Sequence, residues 1–180
     1  MNLPNHKLVG GLAIVVNVIE GLCVFIAVCI GVGAIIIGGI WLVPGFSQMI
    51  LAHTQVSAAL LAHLGLLFID CVAALAIVVG YVVLFKALHT ILANLTKGQY
   101  FVQLNLMAMK RILVVSIIQF AVQVASFFVN ATATIHNVGW LFHTTPAQFF
   151  GEAVLIVIIY VVWLVFKYGL VVQEDSDSMI

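Results

Sequence analysis

Four stretches of this chain are apolar for long enough to cross a bilayer, and that feature limits its fold more than any other. A helix needs about 20 apolar residues to span the hydrocarbon. Such stretches lie within 8–43, 57–88, 112–135 and 147–170. Between them there is too little polar surface for a water-soluble globule. Of 180 residues, 65% are hydrophobic and 7% are charged, against about 45–50% and about 25% in soluble domains. Mean hydropathy is +1.31. A soluble domain and intrinsic disorder are excluded. Nucleic-acid binding is excluded too, because no basic face exists to neutralise phosphates. No ten-residue segment alternates polar and apolar as the strands of a membrane barrel do. A cleaved signal peptide is not expected either, since the first apolar run is too long and its positive start is weak. The expected fold is all-α: one polytopic membrane domain over 1–180, a four-transmembrane-helix bundle in the lipid bilayer.

Orientation follows from the cations. Lys7, Lys86, Lys97, Lys110, Arg111 and Lys167 all fall on one side of a four-span arrangement. The loops near 44–56 and 136–146 hold none. The positive-inside rule then places both termini in the cytoplasm. Trp41, Trp140 and Phe142 are expected near the outer boundary. Within the first stretch, 22–43 reads as the apolar core, while 8–20 either lies at the interface or continues the helix inward. Cys23, Cys29 and Cys71 all sit inside spans and read as small apolar residues, not as disulfide partners.

Local signals refine the picture. Ala27, Gly31, Ala34 and Gly38 are small residues four apart, the spacing that lets membrane helices approach closely. They serve packing within the monomer or a homo-oligomer seam. Pro44-Gly45 ends the first span. Thr145-Pro146-Ala147-Gln148 reads as a helix cap. Gly98 breaks the central segment, whose flanks look helical. Spans two and three are therefore expected to extend into the cytoplasm as a helical hairpin.

Polar groups in hydrocarbon are costly and mark structure or function. Ser116, Gln119, Gln123, Ser126 and Asn130 are spaced three, four, three, four, which puts them on one face of the third span. That face must look into the bundle, as interhelical hydrogen bonds or as the wall of a path or ligand cavity. Asp70 lies about 9 Å inside the second span, with His63, Ala73 and Ala74 on its face. It is the leading intramembrane candidate for a proton or cation site. Glu152 near the start of the fourth span suits the helix dipole and is a second candidate. Glu20, three residues from Asn17, is a third, and can pair with Lys86 or Lys167. His53, His63, His136 and His143 are expected on the outer side, but their spacings match no compact ligand motif. No metal site and no cofactor are expected. No catalytic motif is present, so no enzyme is expected.

Two segments carry a family resemblance. The central one reads GQYFVQLNLMAMKRI, with Gly98, Phe101 and Asn105. The end reads FKYGLVVQEDSDSMI, with Phe166, Lys167, Gly169, Gln173, Glu174, Asp175 and Asp177. With four spans in about 180 residues, the chain resembles the DUF2975 family of small bacterial membrane proteins. Those carry a glycine-x-x-phenylalanine-x-x-x-asparagine element between spans two and three, a phenylalanine-lysine-x-glycine stretch and an acidic tail. Val172 and Ser178-Met179-Ile180 depart from the family's usual leucine and Leu-Thr-Val-like ending. The resemblance implies a bacterial plasma membrane and a role in immunity or envelope protection. Physically, Gly98 permits a tight turn, Phe101 can anchor the loop, and Asn105 can cap backbone groups. The acids Glu174, Asp175 and Asp177 are expected to dock by charge on the loop bearing Lys97, Lys110 and Arg111.

Two functions fit these residues. One is a non-enzymatic protein acting by contact with a membrane-protein partner, as accessory, sensor or immunity factor. The other is an oligomeric proton, cation or small-solute transporter or channel subunit, with the third-span stripe and Asp70 lining its path.

Overall fold

The structure, a computed structural model, describes residues 6–43, 45, 49, 64–132 and 146–178, with side chains omitted at 6–8, 130–132, 146, 174 and 176–178. The loops carrying Pro44, His53, His63, His136, Trp140, Phe142, His143 and Thr145 lie outside the described residues. Four helices follow one another: α1 (His6–Leu42), α2 (Leu64–Thr96), α3 (Gln103–Thr132) and α4 (Pro146–Ser178). All four are long and apolar enough to cross a membrane. The chain is an all-α membrane protein with a four-span bundle, and no strand occurs among the described residues.

The helices pack in chain order, α1 on α2, α2 on α3 and α3 on α4. Each pair is antiparallel, as three sets of contacts establish. Phe68 fills the space over Gly38, Trp41 covers Gly65, and Glu20 meets Lys86. Gln119 reaches Ile77, and Asn94 reaches Asn105. Phe149 lies against Phe120 and Phe127, and Phe166 lies against Phe101.

These contacts also locate the charges along the bundle. Lys86 stands midway along α2 between Ile77 and Asn94. The matching point on α3, midway between Gln119 and Asn105, is Arg111–Ile112. Glu20 is level with Lys86 because the two pair. So Glu20, Lys86, Lys110 and Arg111 share one level of α1, α2 and α3. From that level to the far end of each helix (Leu42, Leu64, Thr132) is about 31–33 Å. A hydrocarbon core is about 30 Å thick. A slab of that thickness fits between this level, where four charged side chains gather, and the far ends of α1, α2 and α3. The helices are longer than a bilayer because each continues past this level. α1 in particular runs unbroken through 8–20.

α4 is displaced. Phe149 sits between Phe120 and Phe127, so Pro146 stands roughly 9 Å short of the Thr132 level. At its other end the apolar stretch Ala147–Gln173 passes the charged level by about 20 Å.

Candidate functional site

Among the described residues, the densest polar and aromatic arrangement lies at the turn between α2 and α3. Gly98 adopts φ +73°, a left-handed conformation that costs other residues about 1–2 kcal/mol. Its N–H donates to the Leu95 carbonyl at 3.1 Å, and the Gln99 N–H donates to the Asn94 carbonyl at 3.0 Å. This pair of bonds is a Schellman ending, and it turns the chain sharply back toward α3. Val102 then accepts from the N–H groups of Asn105 and Leu106 and opens α3.

Asn105 locks the turn. It is 0% exposed. Its Nδ2 donates to the Tyr100 carbonyl at 2.8 Å and to the Gln99 carbonyl at 3.0 Å. Its Oδ1 accepts from Asn94 Nδ2 at 2.7 Å. One buried amide thus satisfies two loop carbonyls and ties the helices together. Beneath it Ala87, Ile91, Ala108, Met109 and Ile112 form an apolar cluster, joined by Ile159, Trp163 and Phe166 of α4.

Phe101 carries the turn across to α4. Its ring meets Phe166 edge-on, with centroids 5.9 Å apart. The same ring occupies the place a side chain at Gly169 would need. Gly98, Phe101, Asn105, Phe166 and Gly169, drawn from two separate segments, therefore converge on one junction. Lys167 lies just beyond, its Nζ 5.5 Å from the centre of the Trp163 ring, within cation–π range. Trp163 in turn stacks on Tyr160. Its indole Nε1 is buried without a hydrogen-bond partner among the described residues.

The tail is not a free strand. α4 remains helical through Gln173 and on to Ser178. Asp175 is exposed and engaged in an interaction. The side chains of Glu174 and Asp177 lie outside the described residues. The link between loop and α4 seen here is the steric one, Phe101 over Gly169.

The stripe on α3 is spent unevenly. Gln119 is 7% exposed, and its Nε2 donates to the Ile77 carbonyl at 2.9 Å. Gly80 makes this possible, since a Cβ there would come within 2.7 Å of that nitrogen. Ser116, Gln123 and Ser126 are half-buried, and Ser126 has a partner. Asn130's side chain lies outside the described residues.

The three candidate acids are not brought together. Asp70 is 5% exposed and has an interaction partner. Glu152 is half-buried on α4, one turn past Phe149 and level with Gln119. Glu20 pairs with Lys86 at 3.9 Å. Along the bundle they stand about 12 Å apart in sequence. No group of three His, Cys, Asp or Glu residues among those described is placed to hold a metal. Of the small residues, Ala34 and Gly38 are buried against α2, while Ala27 and Gly31 are only half-buried. Gly31 has open space around its Cα.

Sequence reasoning passed over Asn94, Gly80, Phe68 and Trp163. Asn94 was legible in principle, as an amide one turn before the turn glycine, opposite Asn105. Gly80 and Phe68 gave no signal, because each matters only through the helix facing it.

Searched against models of known protein families, against curated proteins and against solved structures, the chain gives no match.

Proposed function

We propose that this is a non-enzymatic protein of the bacterial plasma membrane, of the DUF2975 kind, with both termini in the cytoplasm. It acts by touching another membrane component, as an accessory, sensor or immunity factor. The displacement of α4 carries this reading. Beyond the charged level, where acyl chains end, α4 still exposes Val165, Tyr168 and Val172, the last two 66% and 67% exposed. Contiguous apolar surface outside the hydrocarbon marks a protein contact. The stripe supports the same reading, because its most buried described amide, Gln119, is already consumed by α2.

The test is photocrosslinking in intact membranes. A crosslinker at Val165 or Tyr168 should give adducts with protein, whether a different chain or a second copy at twice the mass. One at Ile35, exposed within the slab, should give lipid adducts only. Lipid adducts alone from all three positions would defeat the contact reading.

The second reading, transport, is favoured by one observation. Asp70, Glu152 and Glu20 mark successive levels from near the far end of α2 to the charged boundary. Steps of about 12 Å are too long for direct proton transfer, so this reading requires water between them. Proton and cation flux into liposomes, lost in both Asp70→Asn and Gln123→Leu, would support it. Flux absent from folded wild-type protein would remove it.

A further inference from the structure

We propose that Lys110 and Arg111 form a binding site for an anionic phospholipid of the leaflet next to the α2–α3 turn. The outward face of α3 is a continuous stripe: Leu104, Met107, Arg111, Val114, Ile118, spaced three or four apart and all exposed. Lys110 flanks it and is exposed as well. An exposed apolar stripe is thus interrupted by one dibasic step. Of the charges at this level, Lys86 is countered by Glu20. Neither Lys110 nor Arg111 makes an ion pair among the described residues. Among the described residues nothing supplies their countercharge.

The position selects the ligand. Lys110 and Arg111 stand at the boundary of the hydrocarbon slab, where lipid phosphates lie. The guanidinium matches a phosphate with paired donors. Val114 and Ile118 lie on the hydrocarbon side of the pair and offer apolar surface to the acyl chains. On α4, the exposed Tyr160 occupies nearly the same level, as amphipathic aromatics of a membrane interface do. A soluble phosphate would use the cations and leave that apolar surface unused. A lipid with a negatively charged headgroup uses both.

The test is lipid binding to the purified full chain, with bound lipids counted by native mass spectrometry. Phosphatidylglycerol should bind more tightly than phosphatidylcholine. A basic residue at a membrane surface contributes about fivefold to anionic lipid binding. Lys110→Gln should therefore weaken phosphatidylglycerol by about fivefold, and Lys110→Gln with Arg111→Gln by about twenty-fivefold. Phosphatidylcholine binding should not change. Arg111→Lys should keep the preference. Equal binding of the two lipids by wild type would overturn the proposal. So would wild-type phosphatidylglycerol affinity in the folded double variant, or displacement of the lipid by glycerol phosphate at equal concentration. If the double variant does not fold, the single Lys110→Gln decides: an unchanged lipid preference overturns the site.

Discussion

The end of the bundle near the α2–α3 turn and the part that crosses the bilayer are held together by different means. At the turn, buried apolar side chains of α2 and α3, with half-buried ones of α4, pack under a hydrogen-bonded Asn94–Asn105 pair. Within the slab, helices meet through notches: Phe68 over Gly38, Trp41 over Gly65, and Gln119 over Gly80. The solvent explains the contrast. Near water, burying apolar surface drives helices together. In lipid the tails are as apolar as leucine, so close fit and interhelical polar bonds must do it. Stability should therefore be concentrated at the turn, with the spanning part contributing shape more than energy.

Unfolding of the purified protein in a denaturing-detergent titration can break this contrast. Asn105→Leu should have the largest effect, a loss of about 3 kcal/mol, because it strands the Asn94 amide and two loop carbonyls. Gly169→Ala should follow at about 2 kcal/mol, since the new methyl displaces the Phe101 ring. A stability within error of wild type would mean that Phe101 is not seated on α4. Gly98→Ala should cost about 1 kcal/mol through its left-handed backbone alone. In the slab, Gln119→Leu should cost only about 0.6 kcal/mol, the average for a polar contact in a membrane bundle. If it matched Asn105→Leu, the contrast would be wrong. Smallest of all is Glu20→Gln, expected below about 0.5 kcal/mol because Lys86 is largely exposed. A clear loss there would place that pair inside the hydrocarbon and move the membrane boundary.

Much of this was legible along the chain. The four spans, the turn at Gly98 and the placing of the polar row on one face of α3 follow from hydropathy, from glycine's conformational freedom and from helical period. Gly98, Phe101 and Asn105 could be singled out, as could Phe166 and Gly169, but nothing in the pattern joined the two groups. That Phe101 rests where Gly169 leaves room depends on how far α4 slides along α3. Likewise the row of polar residues gave no hint that Gln119 reaches a neighbour's carbonyl. The deciding residue, Gly80, lies on another helix.

By itself the sequence determined the class of solvent, the number of crossings and the side on which the cations gather, because each depends on local composition and a fixed rise per residue. Tertiary structure decided the registers between helices. It put Glu20, Lys86, Lys110 and Arg111 on one level, left α4 out of step with the other three, and separated the three acids along the bundle. In lipid, apolar periodicity does not choose one sliding position over another. Glycine notches and single hydrogen bonds do, and they exist only once two helices meet.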